Sequence, residues 1–125
     1  MPIPAQSYEK VKPYITKDGS TIRELMHPGV HGNHKQSLAE ARIPAGKRTL
    51  LHRHQLAEEL YHVTLGSGLL RINDETFPVQ RGDTICIPPG AAHCITALES
   101  ELVLLCCCAP AYAHTDTELL ETALE

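Results

Sequence analysis

The sequence contains few aromatic residues: one phenylalanine, four tyrosines and no tryptophan in 125 residues. The hydrophobic core must therefore be aliphatic, and the chain lacks the row of aromatic side chains on which single-stranded nucleic acid stacks. It also lacks an excess of basic residues, because 11 Lys and Arg are interspersed with 15 Asp and Glu, for a net charge of -4. This balance argues against nucleic acid or an anionic membrane as the main partner.

Long apolar runs are absent as well. No stretch approaches the roughly 20 residues of a membrane-spanning helix, and no basic segment followed by an apolar one opens the chain. We therefore expect no membrane partner and a cytoplasmic location. The length predicts a single domain that can bury a core.

Five cysteines are present, and three of them are consecutive, Cys106, Cys107 and Cys108. An odd number with this spacing is not a disulfide framework. On a strand, Cys106 and Cys108 would face one side and Cys107 the other. We interpret them as small hydrophobic residues in a buried strand rather than a soft-metal or redox site, because no second cysteine cluster supplies partners. Reduced thiols also agree with the cytoplasm.

The pattern from residue 37 onward is typical of β-structure. Short apolar or alternating segments recur with glycine and proline turns between them, which predicts an antiparallel sandwich or barrel. Asn73-Asp74 is a two-residue hairpin signal. The predicted strands are SLAEARI (37–43), 47–54, ELYHVTL (59–65), LLRI (69–72), ETFPV (75–79), TICI (84–87), AHCIT (92–96) and ELVLLCCC (101–108).

Three parts are expected along the chain. Residues 1–36 form an N-terminal arm with a first strand at TIREL (21–25), residues 37–110 form the barrel, and residues 111–125 form a tail. In the tail, Asp116 is a candidate cap for a short amphipathic helix. The apolar side of that helix would comprise Leu119, Leu120 and Leu124.

The segment HRHQLAEELYHVTLG (52–66) carries the clearest chemical signal. On a helix, His52 and His54 would point about 200° apart and could not bind one ion together. On a strand they share a face and can converge on a metal. The same alternation places Arg48 on the face of His52, and it places Tyr61 on the face of Glu59. His62 then points away from these residues.

Two spaced motifs resemble those of the cupin superfamily, specifically small single-domain cupins. The segment Gly46-x5-His52-x-His54-x4-Glu59-x6-Gly66 matches the first cupin motif at its defining positions. The second motif is matched by Gly82-x5-Pro88-x-Gly90-x2-His93. Its usual final asparagine is replaced by Ala97, at a position that supports the fold and does not bind metal.

The resemblance implies an all-β fold: an antiparallel double-stranded β-helix, or jelly-roll barrel, here with the short C-terminal helix. It also implies that His52, His54, Glu59 and His93 converge inside the barrel on one divalent transition metal. Glu58 is the competing carboxylate, because some cupins space the acid one residue closer. The alternative is a barrel whose mouth carries these polar residues without metal.

Such a ligand set suits Fe, Mn, Ni, Co or Zn. We expect a metal-dependent enzyme acting on a small polar molecule, with dioxygenase-type chemistry first. A metal-assisted isomerase, epimerase or cyclase resembling sugar-phosphate isomerases comes next, and a non-catalytic cupin that binds a metal or small ligand is the third possibility. Arg48 is a candidate for binding an anionic substrate, and Tyr61 for donating a proton near the metal.

Two further expectations concern the outside of the barrel. A homodimer is predicted, in which Leu51, Leu60 and Leu70 are apolar outward residues on a shared sheet face. His27, His31 and His34 lie in a glycine-containing loop. Their spacing matches no tight metal motif, so a solvated loop is preferred over a second metal site or a lid.

Overall fold

A computed structural model describes residues 3–122 and shows a nearly all-β chain. One short helix, α1 (Pro28–His31), and two single 3-10 turns, Tyr8–Lys10 and His114–Asp116, interrupt the strands. The strands are β1 (Tyr14–Ile15), β2 (Thr21–Met26), β3 (Ser37–Ile43), β4 (His52–His54), β5 (Glu58–Leu65), β6 (Ser67–Ile72), β7 (Glu75–Gln80), β8 (Thr84–Ile87), β9 (His93–Ala97), β10 (Leu102–Ala109) and β11 (Thr117–Leu119).

The strands form two antiparallel sheets. One sheet has the order β1-β2-β3-β10-β5-β8, and the other has the order β11-β4-β9-β6-β7. After β3 the chain alternates between the sheets, except at the β6-β7 hairpin, so that the two inner faces enclose one core, as in a jelly-roll barrel. The predicted all-β fold is confirmed. In the described residues, no helix is long and apolar enough to cross a membrane.

The alternation in β3 shows how the sequence builds the inner face. Ala39, Ala41 and Ile43 are buried, while the residues between them are only partly covered. Antiparallel pairing with β10 then sets Cys106 opposite Ala39. Cys106 and Cys108 point inward and Cys107 is partly exposed, so the predicted division of the three cysteines between two faces is confirmed. All five cysteines carry free thiols.

The hairpin predicted at Asn73-Asp74 is present between β6 and β7, which pair from Ser67 opposite Gln80 to Ile72 opposite Glu75. Asn73 has a positive φ of 52°. Asparagine tolerates this left-handed conformation better than most residues, and two-residue hairpins require it.

The predicted C-terminal helix is wrong. Thr117 and Leu119 belong to β11, which pairs with β4, the strand of His52 and His54. The carboxylate of Asp116 accepts hydrogen bonds from the backbone N–H groups of Leu56 and Ala57, rather than capping a helix of its own. Backbone pairing with β4 therefore stabilises an extended conformation here more than the weak helical pattern stabilises a helix. Leu124 lies outside the described residues.

The expected outward position of Leu70 is also wrong. Gly68 and Leu70 face the core, where Leu70 is fully buried, whereas Leu69 and Arg71 face outward. Leu60, on β5, does remain exposed, at 39%.

Candidate metal centre

The three histidines of the two sequence motifs meet inside the barrel. His52 on β4 lies directly opposite His93 on β9, and His54 follows two residues later on the same face. Their ring centroids are 4.2 Å apart for His52 and His93, and 5.2–5.3 Å for the two pairs with His54. All three side chains are buried, and one nitrogen of each lies within 4.8 Å of the other two. We call His52, His54 and His93 the histidine trio; its geometry can hold a metal ion.

A carboxylate approaches the histidine trio from the opposite sheet. Oε1 of Glu59, on β5, lies 3.2 Å from Nε2 of His54 and 3.3 Å from Nε2 of His93. Glu59 is 5% exposed, whereas its neighbour Glu58 points to solvent. The alternation along β5 thus brings Glu59, and not Glu58, to the histidines.

Each imidazole is oriented through its Nδ1 atom. Nδ1 of His52 donates to the carbonyl of Leu50 at 2.6 Å, and Nδ1 of His93 donates to the carbonyl of Ala91 at 2.9 Å. Because carbonyl oxygens only accept hydrogen bonds, we assign the proton of both rings to Nδ1. Their Nε2 atoms then carry lone pairs.

His54 is oriented in the same way through a hydroxyl group. Its Nδ1 lies 3.0 Å from Oγ1 of Thr117, and that hydroxyl donates its own hydrogen to the carbonyl of Ala113 at 2.9 Å. Thr117 therefore accepts from His54, which again leaves the proton on Nδ1. In metalloproteins, anchoring of the second ring nitrogen fixes the tautomer and ring orientation of histidine ligands.

The resulting donor set suits a cation. The Nε2 lone pairs of His54 and His93 face the carboxylate of Glu59, an arrangement of three acceptors with no donor among them. Among the described residues, Nε2 of His93 is buried without a hydrogen-bond partner. A proton on Nε2 of His54 would turn its contact with Glu59 into a hydrogen bond but would leave Nε2 of His93 without a donor. A divalent cation would accept the lone pairs of all these atoms together. The residues therefore fit the divalent metal implied by the sequence motifs.

The charges at the site shift its pKa values in opposing directions. Burial alone would raise the pKa of Glu59, but the nearby His54 and His93 outweigh it and hold this pKa far below its usual range. Burial lowers the pKa of His54, but Glu59 outweighs that effect and raises it. The pKa of His52 is lowered, by burial and then by the charge of His93. The metal-free site thus favours an ion pair between His54 and Glu59.

A cavity adjoins the histidine trio and leads toward the N-terminal turn. The space between its lining residues is about 580 Å³, and this figure includes a part that is open to solvent. Its walls include the apolar side chains Ile22, Ala41 and Leu104. Among the described residues, its lining includes acids but no lysine or arginine.

The two side chains considered for catalysis take different positions. Tyr61 lines the cavity, and its ring centroid is 6.0 Å from that of His93. Burial, and then the charge of Glu59, raises the pKa of Tyr61 well above its ordinary value.

The expectation that Arg48 points into the barrel is wrong. Its guanidinium lies at the surface and pairs with both carboxylate oxygens of Glu121. Thr49 is the buried residue of this segment, and His52, three positions later, is buried as well. The alternation is therefore interrupted between them, because the chain is not a regular strand before His52.

The other histidines considered from the sequence, His27, His31, His34 and His62, do not line the cavity. His62 faces outward, where its Nδ1 is 2.7 Å from Oγ1 of Thr84. The ring Nδ1 of His27 caps α1 by accepting a hydrogen bond from the backbone N–H of Gly29. The backbone N–H of His27 donates to Nδ1 of His31. His34 is exposed. These contacts give His27 and His31 a structural role.

Three residues at the site were not found from the sequence. Asp18 lies with Oδ2 3.6 Å from Nε2 of His52, Thr117 orients His54, and the thiol of Cys108 lies 3.4 Å from Oε2 of Glu59. Asp18 and Thr117 come from the two ends of the chain, and no local periodicity connects them to the motifs. For Cys108, the alternation predicted that it shares a face with Cys106, but it did not predict the contact with Glu59.

The family assignment follows from comparison with known proteins. The Cupin_2 family model, described as a cupin domain, matches residues 39–108, and the chain belongs to this family. It is 52% identical over 122 residues to the uncharacterized protein MJ1618 of Methanocaldococcus jannaschii, covering 97% of this chain and 98% of that protein.

Two further proteins are similar over different lengths. The oxalate-binding protein of Thermotoga maritima is 30% identical over 73 residues, which span 58% of this chain and 56% of that protein. The structure of the polyketide cyclase RemF from Streptomyces resistomycificus matches with a TM-score of 0.80 at 21% identity, covering 97% of this chain and 87% of RemF. At this identity the RemF match establishes the shared fold.

Proposed function

We propose that the protein is a metal-dependent enzyme acting on a small molecule, with the histidine trio and Glu59 as ligands of one divalent transition metal. The observation that carries this proposal is the convergence of three Nδ1-anchored imidazoles, two of which contact the buried carboxylate of Glu59. Such a set suits Fe, Mn, Ni, Co or Zn, and cellular availability selects among them.

The charges of the cavity favour a neutral or weakly acidic substrate. Its lining includes the acids Asp18, Glu24 and Glu59 without a compensating lysine or arginine among the described residues. Arg48, the candidate partner for an anionic substrate, is bound to Glu121 at the surface. These features argue against a sugar phosphate, and also against a dianion such as the oxalate in the name of the Thermotoga relative.

Dioxygenase-type oxidation of an enolisable or aromatic molecule is the first reaction we propose. A bound divalent metal supplies Lewis-acid polarisation and, if it is redox-active, dioxygen chemistry. The protein's own contribution is to orient the histidines and to keep water from the reacting centre. Apolar side chains such as Ile22, Ala41 and Leu104 supply a wall for that purpose.

Tyr61 favours a second candidate, a proton-transfer reaction of the isomerase, epimerase or cyclase type. Its raised pKa keeps the phenol protonated, so that it can donate a hydrogen bond or proton to a substrate oxygen. The likeness of the chain to the polyketide cyclase RemF supports this candidate.

Elemental analysis of protein purified without chelator tests the proposal. We expect about one equivalent of metal in the wild type and in His62→Ala, whose histidine faces away, and none in a His52→Ala, His54→Ala double variant. Equal metal content in all three proteins, or no metal after reconstitution, would refute the metal centre.

Activity assays separate the candidate reactions. Substrate-dependent oxygen uptake supports the dioxygenase, whereas exchange of substrate hydrogen with deuterated water supports proton transfer. Metal binding with neither activity across diketones, catechols and related small molecules favours a non-catalytic cupin.

Two broader parts of the proposal concern assembly and location. We propose a homodimer, for which the exposed Leu60 offers apolar contact area on the outer sheet face. A monomeric mass in light scattering would exclude it. The free thiols support a cytoplasmic location.

A further inference from the structure

A second carboxylate reaches the histidine trio from the N-terminal part of the chain. Asp18 lies in the turn between β1 and β2, and its side chain is 13% exposed. Oδ2 of Asp18 is 3.6 Å from Nε2 of His52, while Glu59 contacts the other two histidines. The two carboxylates therefore approach different members of the histidine trio.

The turn holds the Asp18 carboxylate in a fixed orientation. Oδ1 accepts two hydrogen bonds from Ser20, one from its backbone N–H at 2.9 Å and one from its hydroxyl at 2.6 Å. The carbonyl of Asp18 accepts the N–H of Leu50 at 2.8 Å, which ties the turn to the segment preceding His52. With Oδ1 occupied by these donors, Oδ2 is the oxygen directed to the site.

The contact between Asp18 and His52 has the same chemical problem as the contacts of Glu59. The Nδ1 proton of His52 is committed to the carbonyl of Leu50, so Nε2 presents a lone pair to Oδ2. A shared cation, either a proton or a metal ion, would turn the repulsion between these two acceptors into attraction. Two ligands at about 2.1 Å from one metal stand roughly 3.0–3.4 Å apart, and a small shift from 3.6 Å meets this requirement.

We propose that Asp18 is a fifth protein ligand of the metal centre, an inference that rests on the proposed metal-dependent function. Asp18 and Glu59 together neutralise the charge of a divalent ion. The centre would then attract anions weakly, and a metal that takes six ligands would have one position left for a substrate. This deepens the proposed preference for a neutral or weakly acidic substrate.

Cobalt(II) titration of the purified full-length chain tests this role. We expect Asp18→Asn, which keeps the Oδ1 acceptor for Ser20, to weaken Co(II) binding by at least about tenfold in competition with a chromophoric chelator. The visible spectrum of bound Co(II) should change, and the variant should bind azide more tightly than the wild type. Glu24→Gln is the matched control, because Glu24 lines the same cavity but accepts a hydrogen bond from Tyr14. The Co(II) affinity and the spectrum of this variant should equal those of the wild type.

The outcomes separate this inference from the proposed function. If the wild type binds no Co(II), the proposed metal-dependent function fails and the role of Asp18 fails with it. If the wild type binds Co(II) and a folded Asp18→Asn binds it equally with the same spectrum, only the role of Asp18 is overturned. If Asp18→Asn does not fold, a crystal structure of the Co(II)-loaded wild type decides: Oδ2 bound to cobalt supports the inference, and Oδ2 away from cobalt overturns it.

Discussion

Thr117 and His54 are 63 positions apart in the chain, yet the Thr117 hydroxyl lies 3.0 Å from Nδ1 of the histidine. The two residues are direct partners in the pairing of β11 with β4. Because the hydroxyl donates to the carbonyl of Ala113, it accepts the imidazole proton and directs Nε2 toward Glu59. The C-terminal strand thus fixes the tautomer of a residue at the candidate metal centre.

We predict that Thr117→Val weakens metal binding by about 10–100-fold, because the isosteric side chain cannot accept the Nδ1 proton. Thr117→Ser should restore most of the affinity. The measurement is a Co(II) competition titration, with Thr64→Val as control, since Thr64 donates to the carbonyl of Val103 away from the site. Wild-type affinity in Thr117→Val would show that the hydroxyl does not orient the ligand.

The ion pair of His54 and Glu59 predicts a pH-dependent stability of the metal-free protein. The pKa of His54 is raised, so its contribution is complete below its unfolded pKa of about 6.5 and is lost as the pH rises through the raised value. The pKa of Glu59 is lowered, so its contribution is complete above about 4.5 and is lost as the pH falls through the lowered value. The pair therefore stabilises the fold most between about pH 4.5 and 6.5.

Glu59→Gln should reduce the free energy of unfolding by about 3 kcal/mol near pH 5.5 in the presence of chelator, because it leaves a buried imidazolium without its partner. The loss should shrink above the raised pKa of His54, where the wild-type carboxylate faces neutral imidazoles. Urea unfolding near pH 5.5 and at a pH above the raised pKa of His54 measures the two losses. Glu58→Gln, at the exposed neighbouring position, should change little. An equal loss at both pH values would contradict the assigned ion pair.

The sequence predicted the parts of this site that depend on local periodicity. Strand alternation puts His52 and His54 on one face and separates Glu59 from Glu58, and the resemblance to cupins implied that His93 joins them. Asp18 and Thr117 could not be predicted, because their positions depend on long-range pairing of both chain ends with the barrel. The prediction that Arg48 points inward was wrong because the irregular segment before His52 shifts the alternation by one residue. A period of two holds only while the strand is continuous.

Two motif glycines should respond differently to alanine. Gly46 and Gly66 both have positive φ values, 74° and 80°. A Cβ at Gly46 meets open space, whereas a Cβ at Gly66 would overlap with the carbonyl oxygen of Glu101. We expect Gly46→Ala to cost about 1 kcal/mol from backbone strain alone, and Gly66→Ala to cost at least about 3 kcal/mol because β10 must also shift. Equal losses in urea unfolding would mean that strain, and not the close approach of Glu101, determines the glycine at position 66.

Arg48 should be dispensable for substrate binding. Its side chain is 45% exposed, and its guanidinium pairs with Glu121 outside the cavity. We predict that Arg48→Ala leaves metal affinity and kcat/KM unchanged and lowers the free energy of unfolding by less than about 1 kcal/mol, as for other exposed ion pairs. Arg53→Ala, which removes the exposed ion pair with Glu118, is the matched control and should behave alike. A tenfold or larger rise in KM confined to Arg48→Ala would mean that the guanidinium leaves Glu121 to bind substrate. An anionic substrate would then replace the neutral one proposed from the charges of the cavity.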